Sequence, residues 1–262
     1  MNLQLARHEI LGIPVDAVDM DAALEYVAMS VEVRTSPGFV LAVNPEKIYA
    51  LRADDELKNF FSKASMLLPD GIGVVKALKH LYHVNVSRVP GADLMQKICE
   101  EAPRRGYKIF LLGSTEEVNK DTVEVLRKTC PGINIVGRHN GFITNSEKDA
   151  LVEEINASGA NILFVAMGSP MQELWMQVNH SRLTTVKICQ GVGGTFDVIT
   201  GRVKRAPLGW QRCNLEWLYR LLHQPTRAKR QLNLLRFIFE VAAQKMKMKS
   251  VPDGAANNKV KG

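Results

Sequence analysis

Between residues 107 and 192, short unbroken apolar runs alternate with stretches in which apolar positions recur every three or four residues. "YKIFLL", "INIVG", "NILFVAM" and "VKICQGV" are of the first kind and read as buried strands. "GSTEEVNKDTVEVLRKT", "NSEKDALVEEINAS" and "SPMQELWMQVNH" are of the second kind and read as helices. Alternation on this spacing builds βαβ units, whose strands lie parallel and whose helices cover both faces. The predicted fold is α/β: a Rossmann-like doubly wound parallel sheet.

The helix starts fit this pattern. Ser114 with Glu117 reads as a capping box, and Ser169 followed by Pro170 as an N-cap with proline in the first helical position. Upstream, "HEILGIPVDAV" predicts two short strands, followed by a helix from Asp19, the strand "FVLAVN" and a helix after Pro45. "DELKNFFSKA" then reads as a helix, "SMLLPD" as a short strand, and "GADLMQKICEEAPRRG" as a helix ended by glycine. Beyond Gly201 the pattern turns helical and basic. The expected division is an α/β core over 1–200, a basic helical C-terminal appendage over 201–248 and a disordered tail over 249–262.

Charge sharpens that division. The chain of 262 residues carries +7 overall. Twelve Lys or Arg against Glu216 and Glu240 put a surplus of ten between Arg202 and Lys249, leaving −3 for the remainder. The basic character belongs to the appendage and points to an anionic partner: nucleic acid, a membrane surface or a phosphate-bearing substrate. Cys99, Cys130, Cys189 and Cys213 are widely spread, as expected of reduced, mostly buried thiols. With no secretion-signal pattern and no apolar run near the roughly 18 residues of a membrane span, a cytoplasmic protein is expected.

Loops that follow parallel strands emerge at one sheet edge, where open α/β folds bind ligands. Glycine-bearing loops collect there: "GS" at Gly113 and Ser114, "GRHNG" ending in Asn140 and Gly141, "GSP" at Gly168, and "GVGGTFD" with Gly191, Gly193, Gly194 and Asp197. The last lacks GxGxxG spacing and has two readings: backbone N–H groups close to a diphosphate, or a tight turn. "GSPMQELW" puts Gln172 and Glu173 in a first helical turn at this edge, either as ordinary helix formers or as site residues.

"LLPDGIGVV" ends an apolar run on Asp70 and follows it with glycine, a common turn. Arg88 of "SRVPGAD" and Asn44 of "AVNPEK" also stand at or just past the ends of apolar runs. A carboxylate, an arginine and an amide gathered at strand ends make a base, an anion clamp and an orienting group. Asp19-Met20-Asp21 has the DxD form of a metal and nucleotide site, but Asp19 opens a helix and reads as its N-cap. His80 and His83 lack a third ligand and read as surface residues.

Taken together, "VNPEKIYALR", "PDGIGVV", "SRVPGADL", "GSPMQE", "GVGGTFDVITGRVKRAP" and "LEWLYRLLHQPTRAKRQLNLLR" resemble the WecG/TagA/CpsF family of bacterial glycosyltransferases, in consistent order over roughly residues 8 to 240. "ASGANILFVAMGSP" and the stretch after "VKRAP" look most like members that transfer mannosaminuronate in enterobacterial common antigen synthesis. The resemblance implies inverting transfer, without metal or other cofactor, of N-acetylmannosaminuronic acid or N-acetylmannosamine. The donor would be a UDP-sugar and the acceptor undecaprenyl-diphosphate-linked GlcNAc. Another UDP-hexose, such as UDP-glucose for exopolysaccharide, is the alternative.

By the same resemblance Asp70 is the base, the glycine after it admits the acceptor sugar, and Asn44, Arg88 and Gln172 line the pocket. Arg220, Arg227 and Arg230 close over the site and engage the diphosphates. A homo-oligomer at the inner face of the cytoplasmic membrane is implied. Ala42 departs from the family, since some relatives carry a hydroxyl residue there. Leu232, Leu235, Ile238, Phe239 and Ala242 form a helical apolar stripe that suits a lipid interface, the protein's own core or a second subunit. Two other classes compete: a nicotinamide-dependent oxidoreductase, disfavoured by the missing GxGxxG, and a basic nucleic-acid module, disfavoured by the lack of a groove-reading motif.

Overall fold

The computed structural model describes residues 5–207, 209–210, 216, 218–219 and 228–250. A hairpin of β1 (Arg7–Ile10) and β2 (Ile13–Asp16) leads into α1 (Met20–Val33). Next come β3 (Gly38–Val43), α2 (Pro45–Ala53), α3 (Asp55–Ser62), β4 (Met66–Pro69), α4 (Ile72–Tyr82) and α5 (Gly91–Arg105). The remaining core is β5 (Lys108–Gly113), α6 (Glu116–Thr129), β6 (Asn134–His139), α7 (Lys148–Ala157), β7 (Ile162–Ala166), α8 (Met171–Asn179), β8 (Ile188–Gly191) and α9 (Thr195–Ile199). A long helix, α10 (Ala228–Ser250), follows.

Six strands form one parallel sheet in the order β4-β3-β8-β7-β5-β6. The strands read as continuous apolar runs because both faces are buried. Phe39, Leu41, Val43, Phe110, Leu112, Leu163 and Val165 pack on one face with the hairpin and with α2, α3, α4, α7, α8 and α10. Their alternates Val40, Ile109, Leu111, Ile162 and Phe164 pack on the other with α1, α5, α6 and α9. This is the Rossmann-like doubly wound arrangement expected from the periodicity.

The hairpin is tied to the sheet through an ion pair between the exposed Arg7 and the buried Asp16, each of which also bonds the backbone leading into β4 or lying within it. Arg7 donates to both oxygens of Asp16 at 2.7 and 2.9 Å, and to the carbonyls of Ser62 and Ala64. Asp16, with no exposed surface, also accepts the Leu67 N–H at 2.7 Å. The carboxylate beside it pushes the Arg7 guanidinium above its ordinary value.

Two helix starts differ from expectation by one residue. Thr115 caps α6 by accepting the Val118 N–H, because Gly113 (φ +128°) and Ser114 (φ +57°) are spent on a sharp turn that bonds Ser114 N–H to the Ala166 carbonyl. Pro170 stands at the N-cap of α8 without a side-chain bond, and the Ser169 hydroxyl contacts the Lys47 ammonium instead. Asp19 is the N-cap of α1, accepting from Ala22 N–H.

Within 201–248 the described residues lie on both faces. Arg202 pairs with Glu117 and Asp121 of α6, and Arg205 with Asp93 of α5. On the opposite face α10 seats Phe237 and Val241 in the core, pairs Glu240 with Arg52 of α2, and bonds Gln244 to the backbone of Leu11 and Glu9. Gly73 makes room for this packing: a Cβ there would meet Pro45 at 2.8 Å, with Leu234 and Phe237 just beyond. Two of the twelve basic residues of this segment, Arg202 and Arg205, are therefore matched by acids of the core. No helix among the described residues is long and apolar enough to cross a membrane.

Asp16→Ala leaves the Arg7 charge without its partner and the Leu67 N–H unmatched. Its expected cost is about 1–3 kcal/mol of unfolding free energy, read by urea denaturation.

Candidate active site

The carboxyl ends of all six strands open on one edge, about 24 Å long at ordinary strand spacing. In sheet order it carries Asp70 after β4, Asn44 after β3, Gly191–Gly194 at β8, Gly168 after β7, Gly113–Ser114 at β5 and Asn140–Gly141 after β6. Connections from β7 run toward β8 and those from β5 toward β6, so the chain reverses direction between β5 and β7. Ligands of open α/β sheets bind at such a reversal.

Asp70 and Asn44 are adjacent by ladder geometry. Val43 lies opposite Pro69, and the Asp70 N–H continues the ladder by donating to the Val43 carbonyl at 2.9 Å. Asn44 caps α2, its Oδ1 accepting the Lys47 N–H at 2.8 Å, which leaves Nδ2 as its donor. Gly71 has φ +139°, and a Cβ there would sit 3.4 Å from the Cβ of Asn44. The glycine after Asp70 is thus fixed by its backbone conformation, while a side chain there would make only ordinary contact with Asn44. Arg88 reaches the same corner because Val89 N–H bonds the Pro69 carbonyl at 3.1 Å. Its guanidinium pairs with Glu216 at 3.2 Å, and Glu216 also receives Arg205. Ala42 lies near the start of α5, its Cβ 3.7 Å from where one on Gly91 would be.

A second group forms at β8 and α8. Gln172 is buried and its Oε1 accepts the Gly193 N–H at 2.9 Å. Gly191 permits that approach, since a Cβ there would stand 2.7 Å from Gln172 Nε2. Gly168, Gly193 and Gly194 differ: a Cβ on any of them meets nothing within 4 Å. These three glycines border open space. Asp197 is half-buried in α9, the short helix that follows this loop directly, where the sequence showed no capped helix.

The far end is a backbone knot. A Cβ on Gly113 would overlap the Ala166 carbonyl at 2.4 Å, and one on Gly141 would crowd Ser114 N at 3.1 Å. Asn119 holds the knot from below, donating to the carbonyls of Gly113 and His139. Asn140 accepts the Phe142 N–H at 2.9 Å. Arg220 and Arg227 lie outside the described residues; Arg230 falls in the backbone of α10, and its side chain is likewise outside them.

Sequence reasoning missed one link. Lys47, three residues after Asn44, pairs at 2.9 Å with Glu173, which is only 1% exposed and adjoins Gln172. The partners are 126 positions apart, and nothing in either segment announces the other. Cys99, Cys130 and Cys189 are free and buried; burial pushes the Cys99 and Cys189 thiols up, so neither is a nucleophile near neutral pH. Cys213 lies outside the described residues.

The glycines can be told apart by substitution. Gly113→Ala is expected to lose roughly 2–4 kcal/mol of unfolding free energy from overlap and unfavourable φ. Gly194→Ala, at φ −82° with open space beside it, should change stability by less than about 1 kcal/mol in the same urea titration.

The doubly wound fold agrees with the resemblance read from the sequence. Residues 8–251 match the glycosyl transferase WecG/TagA/CpsF family. The chain therefore belongs to that family of glycosyltransferases of cell-surface polysaccharide synthesis.

Proposed function

We propose that this enzyme transfers N-acetylmannosaminuronic acid, or N-acetylmannosamine, from a UDP donor to undecaprenyl-diphosphate-linked GlcNAc, with inversion and without a metal. The observation that carries this reading is the adjacency of Asp70 and Asn44 at the ends of β4 and β3, one strand from the open Gly193–Gly194 loop.

Inversion needs a single in-line displacement. Asp70 takes the proton of the acceptor hydroxyl as its oxygen bonds to the anomeric carbon, and the bond from that carbon to the UDP oxygen breaks on the opposite face. Asn44 Nδ2 and Gln172 hold the reacting sugar. The negative charge that develops on the departing diphosphate falls to the backbone at Gly168 and Gly194, to Arg88, and to Arg220, Arg227 and Arg230. Gly113, Ser114, Asn140, Gly141 and Asp197 wall the nucleotide side. Arg88 meets the diphosphate by exchanging Glu216 for it.

The acceptor's lipid brings the enzyme to the inner face of the membrane. With Phe237 and Val241 turned to the core, α10 leaves Leu235, Ile238, Phe239 and Ala242 exposed, Phe239 by 74%. Exposed apolar residues on a basic helix suit an anionic bilayer.

The test is mass spectrometry of a short-chain lipid-diphosphate GlcNAc acceptor with a panel of UDP-sugars and EDTA throughout. One donor is expected to transfer; no transfer from any, with UDP bound, overturns the acceptor. Asp70→Asn should lower turnover roughly 10²–10⁴-fold while the protein stays folded, and near-parental turnover removes Asp70 as the base. Gly194→Ala should weaken UDP binding measured by calorimetry. Phe239→Glu should reduce cosedimentation with anionic vesicles while leaving transfer to a water-soluble acceptor unchanged.

A further inference from the structure

The Lys47–Glu173 pair joins the two halves of the edge. Lys47 belongs to α2, which Asn44 caps, and Glu173 to α8, which starts beyond Gly168. Their strands, β3 and β7, are not neighbours; β8 and its glycine loop lie between them. A buried ion pair is weak support for stability, because desolvation offsets its attraction. Its position is more informative. Glu173 Oε1 receives Lys47 Nζ at 2.9 Å and Gln172 Nε2 at 3.4 Å, while Oε2 is buried without a hydrogen-bond partner.

A carboxylate only accepts, so it draws the NH₂ end of the neighbouring carboxamide toward itself. Gln172 must then turn Oε1 the other way, where it takes the Gly193 N–H at 2.9 Å. We infer that Glu173, with its charge balanced by Lys47, is a positioning residue: it orients the Gln172 carboxamide, and so fixes the Gly193–Gly194 loop in the shape that receives the donor diphosphate. The inference rests on the donor-loop reading given above. Lys47 ties this setting to α2, so that the loop and the Asn44–Asp70 corner are held in one register.

Glu173→Gln is nearly the same size but offers an N–H as well as an oxygen, which removes the orienting rule. Three outcomes are expected of it: hydrogen exchange at Gly193 in the ligand-free protein rises roughly tenfold, the donor KM rises by a similar factor, and kcat changes much less. Lys47→Arg keeps the balancing charge, so exchange at Gly193 should stay near the parental rate. The doubly neutral Lys47→Met/Glu173→Gln protein leaves no buried charge unbalanced, and should behave like Glu173→Gln even where the single variant fails to fold. Parental exchange at Gly193 and parental donor KM in a folded neutral variant, with only the melting temperature lowered, would overturn the inference. Faster exchange at Gly193 in a protein whose parent binds no UDP-sugar would leave the positioning intact and overturn the donor-loop reading instead.

Discussion

The carboxylate of Asp16 sets the geometry on which the candidate site depends. It accepts the Leu67 N–H, three residues before Asp70, and is itself held by Arg7, which also binds the carbonyls that end α3 and open β4. β4 is an edge strand of four residues, and β3 is its one partner in the sheet. Without a fastening on its outer side, so short a strand has little to hold its register. The hairpin supplies that fastening, and the ladder then carries the register to the Asp70 N–H at the Val43 carbonyl. Asn44 follows at once as the cap of α2.

From there the edge is assembled by contacts between strand ends. Gln172 pins Gly193, Ser114 bonds Ala166, and Asn119 gathers the carbonyls around the turn after β5. The glycines divide by what surrounds them. Gly113 and Gly141 are small because backbone lies against them, whereas Gly168, Gly193 and Gly194 face open space. At the second kind there is room beside the backbone for a phosphate to come close.

Most of the fold was legible, because strands buried on both faces are continuous apolar runs that stand apart from the 3.6-residue period of the helices between them. The Asp70, Asn44 and Arg88 corner was legible too, since each stands where an apolar run stops. Other features had no local signal. The turn at Gly113–Ser114 takes up one more residue than a straight strand-to-helix passage, so the cap moved to Thr115. Ser169 turned toward Lys47 rather than capping α8. The Lys47–Glu173 pair and the Arg88–Glu216 pair link distant segments, and periodicity within one chain holds no record of such partners. Net charge likewise holds no record of pairing: Arg202 and Arg205 are matched by Glu117, Asp121 and Asp93 of the core, and Arg236 by Glu240 of its own helix.

The seat of Phe237 and Val241 has a consequence for the order in which the chain is made. All six strands of the sheet have been synthesised once Gly191 is added, yet the core around Ile48, Leu51, Val74 and Leu78 also includes Phe237 and Val241, up to fifty residues later. At about 5–20 residues per second, a ribosome takes roughly 3–10 s to supply them. During that interval the nascent sheet is complete but part of its apolar covering is missing, with Gly73 and Pro45 at the margin of the gap. The growing chain thus carries an uncovered apolar surface beside the Asp70–Asn44 corner until the last helix emerges.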